Sequence, residues 1–184
     1  MWPIKGTRPR GTTEPEDLRY ATELVESEKD RAENVMIVDL VRNDLGRVAE
    51  FGSVAVDEIC RLRALPTVFH LVSRVSARLR DDATVCDALR AAFPCGSITG
   101  APKIRAMEIV EELEGVRRGL SMGAIGYIGF DGSADWSVAI RTAEIVDGVA
   151  RFNVGGGIVA DSEPDMEYEE TLWKGRAILD ALGG

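Results

Sequence analysis

Between Val35 and Val41 the sequence VMIVDLV is apolar on nearly every side, which in a helix means burial. It lies in a helical region predicted from Glu14 to about Leu45, where Glu14, Glu16 and Asp17 suit a helix N-terminus and its dipole. Glu33 shares a face with Met36, Ile37 and Leu40, so a carboxylate is expected to look inward there. Gly46 ends the region. Segments 48–63 and 67–79 alternate as strands do. In TVFHLVSRVSARL the alternation sets Val68, His70, Val72 and Arg74 against Phe69, Leu71, Ser73 and Val75. A helix over 82–93, a loop from Pro94 to Pro102 and a helix over 103–114 follow, the last carrying Ile104, Met107, Ile109, Val110 and Leu113. Beyond it GAIGYIGF, DWSVAIRTAEIV and VARFNVGGGIVA read as strands of an antiparallel meander, divided by the turn pairs Asp131-Gly132 and Asp147-Gly148. Residues 1–13 read as irregular, a basic segment rich in Gly, Pro, Arg and Thr that suggests something precedes it.

These elements predict an α+β fold, a mainly antiparallel sheet packed with helices, with no repeat, low-complexity tract or linker across residues 1–184. Composition sharpens this only a little. Hydrophobic residues make up 45% and charged residues 29%, as in soluble globular proteins. A net charge of −9 argues against nucleic acid or an anionic membrane as the main partner, while leaving room for an anionic small molecule. The 3 cysteines form no CxxC pair and have no histidine cluster beside them, so a reducing, cytoplasmic compartment is expected. No signal-peptide pattern and no membrane span is read.

The chemistry concentrates at the end of the chain. DSEPDMEYEETLWK, residues 161–174, reads as a helix, and a turn of about 100° per residue places Glu167, Glu170 and Lys174 within roughly 60° of one another. Tyr168 and Leu172 flank that line on one side, Met166 and Trp173 on the other, so the carboxylates are expected to face inward. Half-buried carboxylates need a cation; Lys174 offsets one and a hard divalent metal could offset the rest. An ordinary solvated acidic helix fits the same residues. GSITGAPK at 96–103 lacks the GxxxxGK[ST] of a phosphate loop, but its backbone N–H groups with the Ser97 and Thr99 hydroxyls suit an anion as well as they suit a tight connection. Gly155, Gly156 and Gly157 in succession imply a close backbone approach. His70, the sole histidine, reads on these grounds as a structural residue of its strand.

PIKGTRPRG, SEKDRAENVMIVDLVRNDLGRV, HLVS, FPCGSITGAPKIRAMEIVEELE, GAIGY, AIRT, GGGIVADS and EYEETLWK, in that order, resemble the chorismate-utilising enzymes. That family includes the large subunits of anthranilate synthase and aminodeoxychorismate synthase, with the isochorismate and salicylate synthases. The resemblance spans essentially the whole chain and is to the C-terminal part of the family's catalytic domain, the anthranilate synthase component I-like fold. Lys5 discriminates within it, since aminodeoxychorismate synthases carry PIKGT where anthranilate synthases typically carry PIAGT.

The resemblance implies Mg²⁺ held by glutamates matching Glu33 and Glu170, with Glu167 in support. It moves His70 from a structural to an active-site role. It implies substrate contact by Thr99, and anion-holding positions at Arg141, Lys174 and the backbone of Gly155 and Gly156. In the aminodeoxychorismate branch a lysine matching Lys5 attacks C2 of chorismate with allylic loss of the 4-hydroxyl, and ammonia from a glutamine amidotransferase then attacks C4 and expels the lysine. An amine attacks only when neutral, a form that burial or a cationic neighbour such as Arg8 would favour. The implied activity is aminodeoxychorismate synthase component I, on the path to p-aminobenzoate and folate. Anthranilate synthase is the alternative enzyme, and a fragment that binds chorismate and Mg²⁺ or a complementing N-terminal piece without turnover is the alternative class. Two departures stand out: relatives often have tyrosine where this chain has Ser121, and the family's upstream SPE motif and tryptophan-binding region have no counterpart here. Exposed apolar strand edges are therefore expected.

Overall fold

The structure, a computed structural model, describes residues 1–160 and 162–183. Its contacts gather into two compact units, residues 1–108 and 109–184. In the first, β1 (Ile4–Pro9), β2 (Ala55–Ala64) and β3 (Val68–Ser76) form an antiparallel sheet in the order β1-β3-β2. The alternation expected of β3 holds, with Phe69, Leu71, Ser73 and Val75 all buried. Helices α1 (Glu14–Glu26) and α2 (Glu28–Gly46) account for that burial. Leu24 of α1 packs with Phe69 and Leu71, and Ile37, Val38 and Val41 of α2 pack with Val75.

The expected single helical region is two helices. Ser27 turns extended (ψ 105°) and its hydroxyl accepts from the Asp30 N–H, capping α2. Helix propensity does not register that break, because Ser27 acts through its own side chain. Val35 and Met36 also differ from expectation. A helix presents only one face to a sheet, and Asn34, Ile37, Val38, Val41 and Asp44 take it. Val35 and Met36 stay exposed, beside a groove that Leu40, Ile59 and Ala101 also line. Residues 1–13 are more regular than their composition suggests. β1 is an edge strand, and the Ser73 and Val75 N–H groups donate to Pro3 and Met1 carbonyls. Its Gly and Pro sit at a bulge and at the strand end, where pairing tolerates them. After β3 come α3 (Val85–Ala92), opened by a Thr84–Asp87 capping box, the single turn α4 (Gly96–Thr99) inside the expected loop, and α5 (Lys103–Leu113).

In the second unit the expected meander is two separate hairpins. β4 (Ala124–Ile128) pairs with β5 (Ala134–Val138), and β6 (Ala143–Val146) with β7 (Val149–Phe152). DWSVAIRTAEIV is no continuous strand, because Arg141 adopts a left-handed backbone (φ +49°) between β5 and β6. Asp147 and Gly148, both at positive φ, make the two-residue hairpin turn predicted for them. Beyond Phe152 the chain to Ala160 forms no strand, and helix α6 (Pro164–Ala181) follows. All five residues of β4 are exposed, as are Ile145, Ile158, Met166 and Trp173. Among the described residues no helix is long and apolar enough to cross a membrane.

Candidate functional site

In the first unit the candidate residues gather around one bulge. Lys5 pairs with Leu71 and Thr7 with His70, leaving Gly6 as the extra residue, at φ +85°. Glycine takes that conformation at no steric cost. A Cβ there would also meet Leu24 Cδ1 at 2.9 Å and Asp30 Cβ at 3.0 Å. Opposed residues of a ladder share a face, so Lys5 lies on the helix-covered side with Leu71, and Thr7 on the other side with His70. Lys5 Nζ stands 3.7 Å from Glu33 Oε2 on α2, each side chain 21% exposed. Arg8, opposite Phe69, reaches Asp30 at 3.1 Å. Arg8 is thus engaged by a carboxylate, and the partner of Lys5 is an acid rather than the expected cation. His70 Nδ1 lies 2.9 Å from the Thr7 hydroxyl and 3.4 Å from the Gly6 carbonyl oxygen.

Glu33 owes its aim to its neighbour. Asn34 is fully buried; its Nδ2 donates to the Leu71 carbonyl (3.1 Å) and its Oδ1 accepts from the Ser73 hydroxyl. Ser73 Oγ in turn accepts the Cys60 N–H at 2.9 Å. That N–H needs a side-chain acceptor because β2 bulges between Glu58 and Arg61, with Cys60 at φ +48°. The chain of bonds ties α2, β3 and β2 together and fixes the rotation of α2 that turns Glu33 toward Lys5. Sequence reasoning missed Asn34, although a polar residue on the apolar stripe of a helix is a readable signal.

The SITGAP loop is anchored on the same helix. Gly96 is buried so close to α2 that a Cβ would lie 2.4 Å from Leu40 Cδ2. Lys103, just after the loop, donates to Asp44 Oδ2 at 2.7 Å, and these side chains are 14% and 3% exposed. Neither was singled out as a site residue, and the buried pair holds the start of α5. Thr99 Oγ1 donates to the Cys95 carbonyl at 3.3 Å, within α4's own turn.

In the second unit the glycine run meets the acidic helix. The expected acidic stretch begins at Asp161, which lies outside the described residues. A Cβ on Gly156 would stand 3.1 Å from Glu167 Oε2, 3.8 Å from Lys174 Nζ and 4.0 Å from Glu170 Oε1. Glu167, Glu170 and Lys174 therefore converge on one backbone point, as their helical spacing predicts. Lys174 pairs with Glu170 and donates to the Gly155 carbonyl at 3.4 Å. Ser162, another residue missed, takes the Val159 N–H and donates to Glu167 Oε1 at 2.6 Å, which orients that carboxylate. Glu170 differs from expectation, with its side chain 49% exposed. The innermost line of α6 runs through Glu167, Thr171, Lys174 and Gly175, because Gly175 brings the helix close to Val154 and Phe152. Arg141 sits exposed at its left-handed position, and Met122, beside Ser121, reaches within 4.0 Å of a Cβ placed on Gly155. Among the described residues no group of three or more His, Cys, Asp or Glu is gathered to hold a metal ion. Glu33 belongs to the first unit, and Glu167 and Glu170 to the second.

The model of the chorismate binding enzyme family matches residues 1–180. An aminodeoxychorismate synthase of Streptomyces griseus is 53% identical over 180 residues, covering 98% of this chain and 25% of that protein. An anthranilate synthase component 1 of Haloarcula marismortui is also 53% identical over 180 residues, covering 98% of this chain and 37% of its own length. The crystal structure of anthranilate synthase component I from Streptococcus pneumoniae superposes with a TM-score of 0.85 at 42% identity, over 96% of this chain and 38% of that one. The chain thus spans well under half the length of these relatives, and the match at that identity over nearly all of its own length shows that it belongs to the chorismate-binding enzymes.

Proposed function

We propose that this chain carries the catalytic C-terminal portion of an aminodeoxychorismate synthase component I, which aminates chorismate to 4-amino-4-deoxychorismate with ammonia from a glutamine amidotransferase. The observation that carries the reading is Lys5, set by the Gly6 bulge with its Nζ beside Glu33. A lysine there supplies an amine nucleophile that the alanine of PIAGT cannot. The carboxylates fit a hard cation, for Glu33, Glu167 and Glu170 offer oxygen donors only, and two of them converge at Gly156. Mg²⁺, when bound, supplies positive charge that holds a substrate carboxylate and offsets these acids.

This chain's own residues carry the remaining steps. Lys174, Arg141 and the backbone of Gly155 and Gly156 hold the anionic groups of chorismate, and Thr99 contacts it from the SITGAP loop. Lys5 leaves Glu33 as the neutral amine, its proton passing to solvent, and forms a bond from Nζ to C2, while the two conjugated ring double bonds shift and the C4–O bond breaks, the 4-hydroxyl taking a proton from solvent to depart as water. Ammonia then bonds to C4, both double bonds shift back and the C2–Nζ bond breaks, releasing the Lys5 amine. The second reading, anthranilate synthase component I, is favoured by relatives of that name at equal identity.

Chorismate, Mg²⁺ and an ammonium salt supplied to the 184-residue chain and to a complete subunit built on it test both readings. Aminodeoxychorismate that disappears in Lys5→Ala supports the proposal. Anthranilate as the product, or unchanged turnover in Lys5→Ala, refutes it. Turnover by the complete subunit alone, with Mg²⁺-dependent chorismate binding by the 184-residue chain in calorimetry, assigns this portion binding without turnover.

A further inference from the structure

We propose that Thr7 and the Gly6 carbonyl are positioning groups for His70, holding its imidazole with the proton on Nδ1 and the lone pair on Nε2. The bulge creates the arrangement. Gly6 and Thr7 together stand opposite the one residue His70, so a backbone carbonyl and a hydroxyl both reach the same ring nitrogen, at 3.4 Å and 2.9 Å. A carbonyl oxygen only accepts hydrogen bonds. A bare Nδ1 would set its lone pair against those of Gly6, whereas an Nδ1–H donates to Thr7 Oγ1 and leans toward Gly6. The hydrogen bond at one ring nitrogen decides the state of the other. Nε2 is left as an acceptor on the face of the sheet away from α1 and α2, able to take a proton from a bound hydroxyl or amine and unable to donate one while the ring is neutral. A β-bulge re-aims side chains in this way next to functional sites. That His70 then serves as a proton acceptor during turnover rests on the chorismate reading above; the tautomer does not.

His70 is the single histidine of the chain, so its ring resonances need no assignment. The test is a long-range ¹H–¹⁵N correlation spectrum of the ¹⁵N-histidine-labelled 184-residue chain, recorded near pH 9, above the ordinary imidazole range. A protonated Nδ1 with a bare Nε2 is expected in the unaltered chain and in Thr7→Ser. Thr7→Val, isosteric and suited to a strand, removes a bond of about 1 kcal/mol and should move the tautomer ratio toward Nε2–H by about fivefold. An unaltered chain whose proton sits on Nε2 overturns the proposal whether or not any variant folds. So does a Thr7→Val ratio that stays unmoved while the backbone spectrum is intact. Should Thr7→Val not fold, Thr7→Ala takes its place under the same two criteria. An Nδ1–H tautomer in a chain that neither binds nor turns over chorismate upholds the positioning and removes only the functional reading.

Discussion

Asn34 offers the sharpest test of how the site is held. Asn34→Ala leaves the Leu71 carbonyl without its donor and the Ser73 hydroxyl without its acceptor, both in fully buried surroundings. At about 1.5 kcal/mol for each stranded group, the variant should lose about 3 kcal/mol. Ser73→Ala strands the Cys60 N–H and Asn34 Oδ1, another pair, at a similar cost. In the double variant two of the orphans vanish with their side chains, leaving only the Leu71 carbonyl and the Cys60 N–H each short of one partner. Its loss should stay near 3 kcal/mol rather than the additive 6, a coupling of about 3 kcal/mol. Exchange of the slowest β3 amides reads the opening of the first unit directly. Additivity within about 0.5 kcal/mol would refute the network and, with it, the account of why Glu33 faces Lys5.

Other perturbations probe separate parts. Lys103→Met leaves the Asp44 carboxylate, 3% exposed, with the Arg47 guanidinium 3.9 Å away, and should cost about 3 kcal/mol, most of it recovered in Lys103→Met/Asp44→Asn; denaturant midpoints check both. The Arg10 guanidinium, bonded to Asp17, holds that carboxyl below its ordinary value of 3.8. That contribution is complete above the ordinary value and is lost as pH falls through the lower folded one. Asp17→Asn should therefore flatten the fall in stability below pH 3.8, as read from urea midpoints between about pH 5 and pH 2. Glu170→Gln removes one of the carboxylates gathered at Gly156 and should weaken Mg²⁺-dependent chorismate binding by roughly tenfold or more, a loss near 1.4 kcal/mol; an unaltered metal requirement in calorimetry would take Glu170 out of the metal site.

What the sequence made legible was whatever depends on local period. The alternation of β3 identified its buried row, the spacing on α6 brought Glu167, Glu170 and Lys174 to one point, and Asp147-Gly148 announced its turn. The misread features depend on a partner far away. β1 became a strand through pairing with β3, Cys60 found its acceptor on Ser73, and Arg141 broke a run whose side chains alternate well enough for a strand.

The residues that anchor the candidate site were visible as faults in the apolar pattern. Ser73 interrupts the row Phe69, Leu71, Val75, while Asn34 and Asp44 interrupt the stripe of Ile37, Val38 and Val41. Each fault would cost stability if left unmatched, so each implies a partner. The partners sit 39 residues apart for Asn34 and Ser73, and 59 apart for Asp44 and Lys103. No local window contains both members. Pairing such faults by chemistry, an amide with a hydroxyl and a carboxylate with an ammonium, places α2 on β3 and the end of the SITGAP loop on α2 from the sequence alone. The same pairing ties Glu33 and the SITGAP loop, both candidate ligand-holding parts of the first unit, to one helix, so a substitution that turns α2 should disturb Glu33 and that loop together.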